Sequence, residues 1–116
     1  MRVVADLSST PTAEQLLHRC WLAYMSDDMP ADTVRAAHPD FRDSEGHGIT
    51  YTASLDHTIW FHRAFRADEW HLYDFSCHGF TGARGLGVGH VFTIDGVHVA
   101  TVAQEVLMRD ARQRQD

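Results

Sequence analysis

One segment with helical periodicity precedes several strand-like segments in this chain, and that order restricts the possible folds. Thr12 is typical of a helix N-cap because Gln15 follows three residues later. The helix should end at Asp27, Asp28 and Pro30. Its apolar side chains recur at three- and four-residue spacing: Leu16, Leu17, Cys20, Trp21, Tyr24 and Met25. This arc is wider than the stripe of a surface helix, so we expect other elements to wrap the helix.

The second half of the chain is rich in alternating β-branched and aromatic residues, which favour strands. Four segments have this character: residues 49–62, 69–77, 85–94 and 97–108. Alternation along the first segment puts one set of side chains on a single face: Tyr51, Ala53, Leu55, His57, Ile59 and Phe61. The opposite face takes the other set: Thr52, Ser54, Asp56 and Thr58.

A two-residue hairpin turn is predicted at Asp95-Gly96, a dipeptide that tolerates positive φ. Such a turn pairs Ile94 with Val97 and, further along the hairpin, places Gln104 opposite Gly87.

Less regular segments complete the pattern. Residues 2–7 form a candidate edge strand, and residues 29–48 suggest a long connection with one helical turn at 31–37. Residues 109–116 should be frayed or helical. One short strand, one wrapped helix and an antiparallel meander predict an α+β fold in which a curved sheet encloses the helix.

Composition limits the classes of protein. The 116 residues suit one domain over 1–116, and 44% hydrophobic with 22% charged residues are globular values. A net charge of −6 without a basic stripe argues against nucleic acid. No apolar run is long enough for a membrane helix, and residues 1–6 lack a signal-peptide pattern. Two distant cysteines, Cys20 and Cys77, fit reduced packing residues, so we expect a cytoplasmic protein.

All ten basic residues are arginines. Arg63, Arg66 and Arg84 are either solvated surface residues or guanidinium forks suited to a phosphate.

Two segments carry a family resemblance. SLDHTIWFHRAFRADEWHLY at 54–73 and the ARGL at 83–86, continued into AQEVLMR at 103–109, resemble the C-terminal half of the acyl-CoA thioesterase II family. The helix segment HRCWLAYMSDD at 18–28 resembles that family's helix. The resemblance implies a hotdog fold, a curved antiparallel sheet wrapped around one long helix, and hydrolysis of fatty acyl-CoA without a cofactor.

The same resemblance bears on assembly. Members usually carry two fused hotdog domains, whereas this chain corresponds to the second alone. The resemblance therefore implies a homodimer, or pairing with a separate N-terminal half, and places the acyl chain near the junction of two sheets.

Catalysis in the family uses an activated water among an Asp, a Ser or Thr, and a Gln, and the resemblance implies that Asp56 and Gln104 are two of these. An acidic group in an apolar strand needs hydrogen-bond partners, so Asp56 is either a base toward water or a structural tie. Around Gln104 the face lacks side chains at three positions: Gly85, Gly87 and Gly89. These glycines either leave room for a substrate or allow strand curvature.

The hydroxyl-bearing position is where this chain departs from the family. Residues 76–81 are SCHGFT, so Cys77 or His78 occupies the expected place. His78 is the candidate that could donate to a carbonyl oxygen or hold the water. Val106 and Ala64 replace a family Gly and Pro, which points to an altered pocket.

Other chemistries have less support. His57 and His62 should face opposite sides of a strand, and no cluster has metal-ligand spacing, so no metal site is predicted. The GxSxG elbow of a serine hydrolase is missing. The leading hypothesis is a thioesterase in which Asp56 and Gln104 act on one water and an amide near the helix N-terminus polarises the carbonyl. The alternatives are a non-catalytic acyl-CoA-binding module or subunit, and a hotdog hydratase.

Overall fold

The computed structural model describes residues 12–38 and 50–110. Two helices come first, α1 (Ala13–Ser26) and α2 (Asp28–Ala37). The strands are β1 (Thr50–Ser54), β2 (Thr58–Phe61), β3 (His71–Thr81), β4 (Arg84–Thr93) and β5 (His98–Asp110). The predictions for residues 2–7, 39–49 and 111–116 lie outside the described residues.

The helical segment begins where the sequence predicts and runs further than expected. Thr12 caps α1, since its Oγ1 accepts from the Gln15 amide at 3.2 Å. Asp27 alone separates α1 from α2. The helical turn predicted at 31–37 is confirmed, but it belongs to a ten-residue helix that begins at Asp28, so the irregular connection expected from Met29 is wrong at its start. Pro30 explains the break, because it has no N–H for the Ser26 carbonyl, yet proline is tolerated within the first turn of a new helix.

All strand pairs are antiparallel, in the order β1-β5-β4-β3, and β2 also pairs with β5. β1 and β2 therefore follow one another along the same edge of β5. Helices packed against an antiparallel sheet confirm the α+β class.

A bulge interrupts the first predicted strand at residues 55–57. Ser54 pairs with Val106 and Thr58 with Ala103, so four steps on one strand oppose three on the other. The extra residue reverses which side chains face the helices. Thr52 on β1 accepts from Arg35 of α2, whereas residues 59 and 61 of β2 pack on the core. The predicted shared face is therefore right for β2 and wrong for β1.

The β4–β5 hairpin has a three-residue turn, Ile94 to Gly96, instead of the predicted two. The Thr93 amide donates to the Val97 carbonyl at 2.9 Å, and Gly96 takes a φ of +83°. Phe92 then pairs with His98, but Val91 pairs with Ala100, because one extra residue is inserted on β5. The two irregularities cancel, and Gly87 lies opposite Gln104 as predicted.

Two apolar clusters lie between the sheet and the helices. Leu22 of α1 joins Phe65 and four residues of β4 and β5: Val91, Val99, Ala100 and Val102. Val34 of α2 joins Val106 and Met108.

The predicted apolar arc of α1 is not covered. Trp21 is 53% exposed and Tyr24 is 79% exposed, while α1 buries His18, Leu22 and Ser26 instead. The expectation that other elements wrap the apolar arc of α1 is therefore wrong for the described residues, because those elements lie on the other side of the helix. Within residues 12–38 and 50–110, no helix has the length and apolar character needed to cross a bilayer.

Candidate active site

A polar group lies between the two apolar clusters, on the sheet face that meets the helices. Gln104 of β5 is fully buried, with the fully buried residues Val102 and Val106 on either side along the same face. The break between α1 and α2 lies over it. A buried carboxamide surrounded by aliphatic side chains requires hydrogen-bond partners.

Gln104 is the centre of a hydrogen-bonded network. Its Nε2 donates to Ser54 Oγ at 2.7 Å, and its Oε1 is bonded to His57 Nδ1. Ser54 Oγ donates to Asp27 Oδ1 at 3.4 Å. The other ring nitrogen of His57, Nε2, is 3.0 Å from Ser26 Oγ. One N–H of Gln104 has no partner within the described residues and can donate to a bound water or carbonyl.

Two local irregularities assemble this network. The bulge at residues 55–57 turns Ser54 and His57 to the same side, although alternation predicts opposite faces. The helix break brings Ser26 and Asp27 over the sheet. Sequence reasoning missed these four partners because neither irregularity is visible in periodicity. Their one sequence signal is that all four fall within the segments that carry the family resemblance.

Asp56 lies in the bulge itself. Its Oδ1 accepts from the backbone amide of Glu105 at 2.7 Å, and the residue is exposed. The Asp56 carboxylate thus accepts the hydrogen bond that a backbone carbonyl would accept in a regular pair of strands. No hydrogen bond joins Asp56 to the Gln104 side chain among the described residues, although the two groups lie one residue apart along β5. Oδ2 is available to a water.

The three glycines of β4 lie against protein atoms. A Cβ on Gly85 would overlap the Val34 side chain, and one on Gly89 would overlap the Phe75 ring. A Cβ on Gly87 would be 3.0 Å from Cβ of Pro30. The geometric reason for predicting a substrate there is therefore wrong: α2 and Phe75 fill that space. A direct role for these glycines in substrate binding stays a prediction.

Cys77 and His78 occupy different faces of β3. Cys77 is in register with Gly87, and therefore in one row with Gln104, about 10 Å away across β4. Its side chain packs against the Val34 cluster. His78 is exposed and lies 3.1 Å from Ser76 Oγ, on the far side of the sheet. A catalytic role for His78 beside Gln104 has no support in this geometry.

The arginines considered for phosphate binding are engaged in the fold. Arg84 forms an ion pair with Glu105 at 3.6 Å on the outer face of the sheet. Arg63 donates to the His98 carbonyl at 2.6 Å. Arg66 binds Asp68 and Glu14, and its hydrogen bond to Asp68 raises the pKa of the guanidinium. Arg84 has the longest of these contacts, and its role in substrate binding stays a prediction.

Three histidines meet on the outer face. His62, His90 and His98 each lie within 3.3 Å of Thr101 Oγ1. Burial, followed by repulsion from His98, lowers the pKa of His62. His57 and His62 are on opposite sides of the sheet, as predicted, and the described part of the chain contains no group of residues suited to a metal ion.

The N-terminus of α1 is remote from Gln104. Gln15, in its first turn, donates to the Phe65 carbonyl at 3.3 Å, whereas Ser26 at the other end reaches the network. Fourteen residues separate Thr12 from Ser26, which corresponds to about 20 Å of helix. Within one copy of the domain, an amide at this N-terminus is therefore too far away to polarise a carbonyl beside Gln104.

Known proteins place the domain in a family. Residues 2–107 match the acyl-CoA thioesterase family model. Acyl-CoA thioesterase 2 of Haemophilus influenzae is 40% identical over 93 residues, which cover 80% of this chain and 32% of that protein. Mouse acyl-coenzyme A thioesterase 8 is 39% identical over 93 residues, which cover 80% of this chain and 28% of that protein.

Solved structures agree. The acyl-CoA thioesterase II TesB2 from Mycobacterium marinum superposes with a TM-score of 0.75 at 43% identity, covering 86% of this chain and 37% of that one. The tesB protein of Mycobacterium avium paratuberculosis gives 0.71 at 28% identity, with the same coverage. The chain spans about a third of the length of these relatives. It has the hotdog fold and belongs to the acyl-CoA thioesterase family.

Proposed function

We propose that this domain hydrolyses acyl-CoA thioesters to a free fatty acid and CoA. The observation that carries the proposal is the fully buried carboxamide of Gln104, which keeps one N–H for a ligand. The exposed carboxylate of Asp56 is bound to the backbone amide of Glu105, the next residue of β5. A donor fixed in a water-poor site and a base open to water are the two groups that thioester hydrolysis requires. Membership of the family supports the same reaction.

In the proposed reaction, Asp56 takes a proton from a water while the oxygen of that water attacks the thioester carbonyl carbon. Gln104 donates its remaining N–H to hold the water or the carbonyl oxygen. The C–S bond then breaks, and the CoA thiolate leaves and takes up the proton. Because the N-terminus of α1 is remote, Gln104 takes the place of an amide from that N-terminus as the donor in this proposal.

We further propose that the active form is a dimer of this domain or a pair with a separate hotdog half. The exposed arc of α1 supports this, since five large side chains would otherwise remain in water: Leu16, Leu17, Trp21, Tyr24 and Met25. Contiguous apolar surface of this kind is typical of protein interfaces. A cavity of about 390 Å³ beside this arc, lined in part by Leu17, Trp21 and Met25, extends the surface that a partner would cover.

Release of free CoA from saturated acyl-CoAs of increasing chain length tests the reaction. We expect turnover by the purified protein and a loss of roughly 100-fold in kcat for Gln104→Ala, with less change in KM, because the amide acts in the transition state. Asp74→Asn, an exposed carboxylate change on β3, is the matched control and should have no effect. Acyl-CoA binding without CoA release would contradict hydrolysis and favour the non-catalytic module.

A further inference from the structure

We propose that Asp27 and His57 are positioning residues that hold the Gln104 carboxamide in one orientation, with its oxygen toward His57 and its N–H groups toward Ser54 and the reacting atoms. Only the reference to reacting atoms rests on the proposed function. The orientation itself follows from the hydrogen-bonded network.

Asp27 sets the direction of the hydrogen bonds at one end. An ionised carboxylate only accepts, so the Ser54 hydroxyl must donate to Asp27 and therefore accept from its other neighbour. That neighbour is Gln104, which must present its Nε2 at 2.7 Å. The amide oxygen then points the other way. The position of a carboxylate at the helix break thus decides which end of a buried amide faces which partner.

His57 completes the constraint from the other side. The Gln104 oxygen accepts only, so His57 Nδ1 must carry a hydrogen. Asp27 Oδ1 lies 4.0 Å from the same Nδ1, so the hydrogen on Nδ1 faces a negative charge. In the neutral ring Nε2 is then an acceptor, and the Ser26 hydroxyl at 3.0 Å can donate to it. All four contacts therefore agree on one tautomer and one amide orientation.

Ser26 has a second acceptor within reach, since its Oγ lies 3.3 Å from the Ala23 carbonyl. The hydrogen bond from His57 Nδ1 to Gln104 does not depend on which of the two acceptors takes the Ser26 hydrogen.

Two isosteric substitutions of His57 separate positioning from packing. Asn places its amide nitrogen where Nδ1 lies and retains a donor to Gln104. Gln places its nitrogen where Nε2 lies and retains only the contact with Ser26. We expect His57→Asn to keep kcat within about threefold of wild type, and His57→Gln to lower kcat by roughly 10- to 100-fold with little change in KM.

Combining His57→Gln with Gln104→Ala tests whether His57 affects kcat through Gln104. If His57 acts through Gln104, His57→Gln should lower kcat no further in the Gln104→Ala background. Equal losses in His57→Asn and His57→Gln, or a full additional loss in the Gln104→Ala background, would overturn the positioning role.

Nuclear magnetic resonance of the Gln104 side-chain amide gives a readout that needs no turnover. Wild type and His57→Asn should both show two separate amide proton signals that exchange slowly with water. In His57→Gln and Asp27→Ala the signals should exchange faster, because one end of the amide is released. Unchanged Gln104 signals in both of the latter variants would overturn the inference. Ordered signals in a wild-type protein that releases no CoA would contradict the proposed function alone.

Discussion

At the scale of single residues, the site depends on polar groups held in an apolar setting. Gln104 is fully buried, and its two partners, Ser54 and His57, are in turn bonded to Asp27 and Ser26 on a distant segment of the chain. Removing one partner leaves a buried polar atom without a hydrogen bond, which costs about 1–3 kcal/mol. Asp56 differs, because its carboxylate is exposed and has only one backbone partner among the described residues.

This difference makes Asp56→Asn informative. The amide oxygen of Asn can still accept from the Glu105 backbone, so the bulge should persist and the melting temperature should stay near that of wild type. Hydrolysis should fall by roughly 100- to 10,000-fold because the base is lost. CoA release and thermal melting on the same preparation check both statements. Wild-type rates in this variant would make Asp56 a structural residue.

At the scale of secondary structure elements, the close approach of α2 to β4 depends on absent side chains. Gly85 and Gly87 face Val34 and Pro30 of the helix, so the helix lies directly on the strand backbone. Valine has a high strand propensity, but in a Gly87→Val variant its side chain would have to displace Pro30. The helix break that positions Ser26 and Asp27 depends on the same contact.

Gly85→Ala tests this packing. The new methyl would overlap Val34, and we expect the free energy of unfolding to fall by about 1–3 kcal/mol. Gly79→Ala is the matched control on β3, because no atom lies within 4 Å of its Cβ position. Urea unfolding of both variants gives the comparison. Equal stability of Gly85→Ala and wild type would mean that the helix can move away from the strand without cost.

At the scale of the whole molecule, the exposed arc of α1 is a departure from a self-contained domain. Helix propensity and apolar periodicity both agree with α1, yet the side chains that define its periodicity face away from the sheet. A partner that buried this arc would complete the core on that side.

We therefore expect the protein to be a dimer at micromolar concentration, and Trp21→Lys to shift it toward monomer while the fold persists. Trp70→Lys is the control, since Trp70 is 85% exposed and lies away from α1. Light scattering and circular dichroism on the three proteins check the expectation. A monomeric wild-type protein with full activity would contradict it.

Features that depend on local chemistry could be predicted from the amino-acid sequence. The Thr12 cap, the strand character of β3 to β5 and the positive φ of Gly96 follow from propensity and turn chemistry. The pairing of Gly87 with Gln104 was predicted correctly only because two irregularities, in the turn and in β5, cancel. Motif resemblance supplied Asp56 and Gln104 as candidates.

Only the tertiary structure decided which side chains meet. The one-residue bulge reverses alternation and brings Ser54 beside His57, and Pro30 breaks the helix so that Ser26 and Asp27 reach the same place. Side chains of α2 and the Phe75 ring fill the space beside the β4 glycines. A bulge or a helix break adds or redirects a single residue, which periodicity cannot register, because their positions are set by long-range pairing with β5 and by the packing of α2 on the sheet.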